Sequence, residues 1–299
     1  MAIASPMKVG VVGTGEMGRP LIARIHAAGH HVTAFARRPE TLKDLEVCGI
    51  ETVSALVALG TDCDFVIVYV LTDEQVRAVV LDSGLLTAMP RGSTLVIHTT
   101  TSPATVQAVA VQAARHGVAV VDAPGSGGPA QAAEGTLTLF VGGEIETVDR
   151  CRTLFAEYAT NVVRFGPVGA GQAMKLINNL LFAGHVQLAI EADRLAAEFS
   201  IDAPTMFDAL RNCSGASTAT GLVVAKGSVK ALLEAGGPFI YKDALLTRDV
   251  ATDLGLPLGS FGPVIRDVLA SVEPYRAAAS GHDPASIPNV SPAAIQGQS

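Results

Sequence analysis

Hydrophobic positions in the first half of the chain fall into short runs separated by stretches with a different period. Apolar runs at 8–12, 31–36, 64–70, 93–98, 118–122, 136–141 and 161–165 predict strands. Between several of them the spacing turns helical, near Glu74–Leu81, Pro103–His116 and about Glu146–Tyr158. Strand and helix in alternation imply a mostly parallel, doubly wound α/β sheet, whose ligands collect at the carboxyl ends of the strands. Gly166 and Pro167 then break the chain, and the pattern changes. From Gly169 to Ala197 the apolar residues are too continuous for a surface helix and no proline interrupts them, which predicts one long helix buried on most sides. Further helices are predicted at about Thr205–Arg211, Gly221–Ala235, Lys242–Leu254 and Pro263–Ala279, with no strand among them. The reading is a nucleotide-binding α/β domain over 1–166, an all-α domain over 167–285 joined to it by the long helix, and a disordered polar tail over 286–299.

The turn after the first strand carries Gly13, Thr14, Gly15, Glu16, Met17 and Gly18. A GxGxxG run is specific when it stands between a strand and a helix of a βαβ unit, as here, because each glycine then has a task. Gly13 permits the tight turn, Gly15 lets a pyrophosphate approach the backbone, and Gly18 lets helix and strand pack closely. The helix N-terminus adds unpaired N–H groups and a positive dipole end for that anion. The second strand ends in Ala36, Arg37 and Arg38, where an NAD site usually places an acid for the ribose hydroxyls. Two guanidinium groups suit a 2′-phosphate, so NADP(H) is expected in preference to NAD(H). Arginines at a strand end are also often only solvated, and Glu40 stands close enough to pair with one.

Three further strand-end loops draw attention. One runs from Tyr69 through Val70 and Leu71, both candidate cofactor contacts, to Thr72, and another covers His98 to Pro103. The third, Asp122 to Pro129, sets Ser126 between glycines, offering a hydroxyl and several N–H groups to a small carboxylate. In the long helix Lys175 and Asn179 share one stripe with Phe182 and Val186. A lysine there either takes part in proton chemistry or snorkels from the first turns of the helix.

With 28 acidic against 21 basic residues, the chain lacks the clustered cations of a nucleic-acid surface. Its four cysteines have no short paired spacing, its seven histidines no metal-ligand spacing, and its longest apolar run is too short and polar to span a membrane. No metal, nucleic acid or membrane partner is expected, and the chain reads as cytoplasmic.

Four motifs stand in order: GTGEMG at 13–18, DAPGSGG at 122–128, GAGQAMKLINN at 169–179, and Lys242 with Asp243 opening a late helix. Together they resemble the β-hydroxyacid dehydrogenase family, over about Lys8 to Asp283. The resemblance implies a Rossmann domain, a long linking helix and a helical domain, assembled as a homodimer or homotetramer. It makes Lys175 the catalytic lysine and Asn179 its partner, and gives the substrate carboxylate to Ser126, Gly127 and Gly128. Thr100 would lie near the nicotinamide, Lys242 would approach the cofactor, and Asp243 would approach the substrate. Arg37 matches the arginine of NADP-using members. Three positions depart from the family pattern: Gly125 replaces a valine or isoleucine, Ile97 replaces an aspartate, and the segment before Lys242 is short. Glycine at 125 predicts a roomier pocket that favours larger substituents.

These readings converge on hydride transfer between NADP(H) and a small β-hydroxyacid or its semialdehyde, with Lys175 as general acid and base. Burial and a cationic nicotinamide would both lower the lysine pKa from about 10.4. Two other activities fit the architecture. One is reduction of an imine or bulky ketone, although imine reductases usually lack this lysine. The other is dinucleotide binding without turnover.

Overall fold

The computed structural model describes residues 5–36 and 38–276. The prediction of a disordered tail lies outside these residues, whereas the last predicted helix, expected to reach Ala279, ends at Val272 with Glu273 as its C-cap. Contacts divide the chain inside the long helix, after Lys175, into a sheet-containing unit and a helical unit that opens at Leu176.

The first unit begins with β1 (Lys8–Val12), α1 (Gly18–Ala27), β2 (His31–Phe35), α2 (Pro39–Val47), β3 (Glu51–Val53), α3 (Leu56–Gly60) and β4 (Phe65–Val68). It continues through α4 (Asp73–Val80), α5 (Leu85–Ala88), β5 (Thr94–Ile97), α6 (Pro103–His116), β6 (Ala119–Asp122) and β7 (Gly125–Ser126). After α7 (Pro129–Glu134), β8 (Leu137–Gly142), α8 (Ile145–Ala156) and β9 (Ala159–Gly166), the chain enters α9 (Ala170–Glu198). The sheet order is β3-β2-β1-β4-β5-β6-β8-β7, and β9 pairs with β8. Neighbours from β3 to β6 are parallel, whereas β8 runs antiparallel to β6 and β7. The strand order reverses at β1, so the crevice of a doubly wound sheet opens between the ends of β1 and β4.

Alternation along the strands explains why the sheet is covered on both faces. Val9, Val11, Phe65 and Ile67 join a core on one face with Leu21, Ile22 and Ile25 of α1. Val12, Val66 and Val68 join a second core on the other face with Val106 and Val109 of α6. Strands buried on both sides read as continuous apolar runs, which is why they are visible in the sequence.

The helical unit departs from the predicted elements. After α10 (Ala203–Leu210) come α11 (Thr218–Lys226), α12 (Val229–Asp253) and α13 (Phe261–Val272), where one helix was expected from Gly221 to Ala235 and another from Lys242. Gly227 takes φ +87° and ends α11, and the Ser228 hydroxyl accepts from the Ala231 N–H to cap α12. Helix α12 then runs through Pro238 without ending, because Leu232, Leu233, Gly237, Pro238, Ile240 and Ala244 are all buried. Tertiary packing here outweighs the local penalty of proline. Among the described residues no helix is long and apolar enough to cross a membrane.

Candidate active site

The glycine-rich turn is shaped by the protein's own backbone at two of its three glycines. A Cβ on Gly13, which has φ +111°, would lie 2.1 Å from the Tyr69 carbonyl oxygen, and one on Gly18 would lie 1.8 Å from the Gly13 oxygen. Both positions exclude any side chain. At Gly15 a Cβ would meet nothing within 4 Å, so the absence of a side chain leaves an open face at the turn. Helix α1 starts at Gly18 with Met17 as N-cap and no side-chain cap, so its first N–H groups face that turn. A dinucleotide pyrophosphate fits this arrangement of backbone donors and open space. Thr14 is held through its carbonyl, which accepts from Arg19 Nε at 3.2 Å while the same guanidinium bridges to Asp44 of α2. Glu16 is exposed and Met17 packs on the first core.

Past the end of β2, Arg38 is exposed and stands 3.9 Å from Glu40, a loose surface pair. Arg37 lies outside the described residues. At the end of β4, the Val70 N–H donates to Thr99 Oγ1 at 2.9 Å and the Leu71 N–H to Gln75 Oε1 at 2.8 Å. Both donors are therefore engaged within the protein, and a cofactor would meet these two residues through other atoms.

Lys175 is half-buried, and its Nζ donates to the Gly125 carbonyl at 2.7 Å. This brings the helix lysine onto the glycine-serine loop inside the first unit. Gly125 and Ser126 form β7, pairing with Leu139 and Thr138 of β8. Gly127, at φ +124°, would place a Cβ 2.8 Å from Leu137, and the Gly128 N–H donates to Gln131 to start α7. The loop is thus fixed by strand pairing at one end and by a helix start at the other.

Two residues that composition and motif did not single out as functional hold the start of α9. The buried Asp122 carboxylate accepts from the Gly169 N–H at 2.7 Å and the Gln172 N–H at 2.8 Å. Burial raises its pKa above the ordinary 3.8, and those N–H donors pull the other way. Glycine is required beside it, since a Cβ on Gly142 would lie 2.4 Å from Asp122 Oδ1 and one on Gly171 2.8 Å from Oδ2. Gln172 is fully buried; its Oε1 accepts from the Thr101 N–H and its Nε2 donates to the Thr99 carbonyl. It therefore clamps both neighbours of Thr100, the residue expected near the nicotinamide. The sequence signal was present in the run Gly169, Gly171, Gln172, glycines too closely spaced for an ordinary helix start.

His98, a candidate acid or base by its place at a strand end, is wholly buried, and its Nδ1 contacts the Ala123 carbonyl. A carbonyl cannot donate, so Nδ1 carries the proton and Nε2 accepts from the Tyr158 hydroxyl at 3.0 Å. Burial lowers the His98 pKa to about 4, against a smaller upward pull from the Ala123 carbonyl. His98 is a neutral structural bracket for the loop that leads to Gly125.

In the helical unit Asn179 Nδ2 donates to Asp243 Oδ2 at 2.7 Å, and Lys242 Nζ stands 2.5 Å from Asp243 Oδ1. Asn178 donates to Asn179 Oδ1 at 3.0 Å. The carboxylate of Asp243 thus orients both the amide and the ammonium, and all three predicted site residues of this unit form one polar cluster.

Two family descriptions match the chain. The NAD binding domain of 6-phosphogluconate dehydrogenase matches residues 8–166, and the NAD-binding region of NADP-dependent 3-hydroxyisobutyrate dehydrogenase matches residues 169–283. An L-threonate dehydrogenase of Cupriavidus necator is 32% identical over 70% of this chain and 71% of its own length. An NAD-dependent L-serine dehydrogenase of Pseudomonas aeruginosa is 30% identical over 83% of each. A solved structure of the Mycobacterium tuberculosis 3-hydroxyisobutyrate dehydrogenase with L-serine has a TM-score of 0.81 at 26% identity, covering 91% of this chain and 94% of that one.

Proposed function

Because the chain belongs to the β-hydroxyacid dehydrogenase family, and so is a nicotinamide-dependent oxidoreductase of CH–OH groups, we propose that it interconverts a small β-hydroxyacid and its semialdehyde using NADP(H). The single observation that carries the proposal is the 2.7 Å approach of Lys175 Nζ to the Gly125 carbonyl, which holds an ammonium beside the loop offered to the substrate carboxylate. Bound nicotinamide would supply or accept the hydride. Lys175 then gives a proton to the developing alkoxide, or takes one from the alcohol, and Ser126, Gly127 and Gly128 hold the carboxylate. Asp122 and Gln172 fix the turn of α9 that precedes the lysine. Asn179, oriented by Asp243, is the proposed partner of the lysine at the substrate.

The preference for NADP(H) rests on Arg37 and Arg38 in the sequence that follows β2, and the matched description of NADP-dependent 3-hydroxyisobutyrate dehydrogenase supports it. The test is kcat/KM with NADPH and NADH on a panel of semialdehydes, in the wild type and in Arg37→Asp. NADPH should lead in the wild type. The substitution should remove roughly tenfold or more of that lead, as charge-assisted hydrogen bonds worth about 1.5–3 kcal/mol are lost. Equal values for the two cofactors in the wild type would reject the preference. Assembly as a homodimer or homotetramer is part of the proposal, on the apolar side chains that α9 leaves exposed.

A further inference from the structure

Tyr69 lies against both the cofactor turn and the loop that meets Lys175. It follows β4, its N–H donates to the Val12 carbonyl at 2.8 Å, and its own carbonyl is the atom that forbids a side chain at Gly13. Its ring packs on the buried His98 ring at 5.4 Å between centroids, and His98 is itself held by Ala123 and Tyr158. The backbone is thus pinned at the dinucleotide glycine and the ring is backed by a bracketed imidazole, so the phenol has a defined direction. That direction is toward Gly125. A Cβ built on Gly125 would lie 3.9 Å from Tyr69 Oη, 3.5 Å from Leu139 Cδ2 and 3.8 Å from the Thr138 carbonyl. The side chain that glycine omits would therefore point into space bounded by a hydroxyl, and the larger pocket expected from Gly125 is partly taken up by Tyr69.

We propose that Tyr69 selects the substrate, its phenol making polar the pocket wall where a side chain at 125 would have been apolar. The inference rests on the dehydrogenase reading above and names its substrate class. In a β-hydroxyacid held by its carboxylate on the Ser126 loop, the substituent on the α-carbon is the group next to that carboxylate. A phenol offers one donor and two lone pairs, so it suits an α-hydroxyl or α-ammonium group better than an α-methyl. Sites that hydrogen-bond a substituent also discriminate against analogues that lack it, because that hydrogen bond is then missing. The preferred substrates are 3-hydroxypropanoates bearing a hydroxyl or ammonium at carbon 2.

The experiment measures kcat/KM for three such acids that differ only at that carbon: glycerate, serine and 3-hydroxyisobutyrate. Wild type, Tyr69→Phe, Gly125→Val and the double variant are compared. Wild type should favour glycerate or serine, and Tyr69→Phe should lower those two about tenfold relative to 3-hydroxyisobutyrate, roughly the worth of one hydrogen bond. Gly125→Val should harm all three, and adding Tyr69→Phe should restore part of the loss, since the valine then no longer meets the Tyr69 hydroxyl. A parallel fall on all three acids in Tyr69→Phe, or strictly additive effects in the double variant, would overturn the proposal. If the wild type turns over none of the acids, the dehydrogenase reading itself fails. The contact is then judged by thermal unfolding, where additive shifts of the two single variants overturn it and a non-additive pair upholds it.

Discussion

Helix α9 is two helices in its physics. Its first turns lie in a polar cage: Gly171 and Gln172 are buried, Asp122 accepts two of the N–H groups, and Gln172 reaches across to Thr99 and Thr101. The remainder, from Ile177 onward, buries only one side. Ala183, Val186 and Ala189 pack into the helical core, while Ile177, Leu181, Leu188 and Leu195 stay exposed at helical spacing. The long helix was expected to be buried on most sides; at its opening Gly171 and Gln172 are buried, and beyond them one side of the helix stays exposed. A helix start bound by directional hydrogen bonds can hold a lysine in one place, whereas an apolar stripe has area but no fixed direction. The proposed proton chemistry therefore falls at the caged end, and the exposed stripe calls for a different role.

The sharpest test of that division is Lys175→Ala. Loss of a positioned proton donor should lower kcat by 10²-fold or more, in line with general-acid contributions, with cofactor affinity near wild type. Retained turnover would return Lys175 to a snorkelling role and erase the distinction between the two ends of the helix.

The cage also predicts a pH dependence. His98, which brackets the loop that Lys175 touches, has its pKa lowered from 6.5 to about 4 in the fold. Between those values the unfolded chain binds the proton and the folded chain does not, so stability is full above 6.5 and is lost as pH falls toward 4. The effect is at most about 3 kcal/mol. In His98→Gln an amide can still donate to Ala123 and accept from Tyr158, so the variant should lose that part of the slope when Tm is followed across this range. An unchanged slope would assign the acid sensitivity to other groups.

Asp122→Ala acts on the cage directly. It leaves the Gly169 and Gln172 N–H groups without their acceptor, a loss of about 1–3 kcal/mol, read by denaturant unfolding. Activity should fall as well, because the lysine sits one turn beyond. A variant as stable as wild type would show that water replaces the carboxylate.

What the sequence made legible follows the range of the interactions involved. The turn at Gly13 to Gly18 and the apolar runs of the sheet are local, so spacing and residue type revealed them. Lys175, Asn179 and Ser126 stood out by residue type and spacing, and Lys242 and Asp243 through motif resemblance; the structure gathers Lys175 with the Gly125 loop and Asn179 with Asp243 and Lys242. The short β3, α2 and α3 carry too few periodic residues to stand out. The passage of α12 through Pro238 reverses a local preference by packing that no window of sequence contains. Asp122 and Gln172 escaped notice because their partners lie 47 to 73 residues away. Tyr69 is only the first residue of a loop in the sequence, since nothing near it there tells that its hydroxyl faces Gly125.

The smallest expected effect on the single chain is the one that probes the stripe. Leu188 is 65% exposed on α9, so Leu188→Glu removes little buried area from the protomer and introduces a residue of comparable helix propensity. Its stability as an isolated chain should change by no more than about 0.5 kcal/mol. If a second copy covers the stripe, the same substitution buries a carboxylate in an apolar interface, and the assembly should dissociate. Light scattering across a dilution series would show wild type as a dimer or tetramer and the variant as a smaller species. A variant of wild-type size would mean that the apolar side of α9 is not where the copies meet, and the helix would then lack an explanation for its exposed leucines.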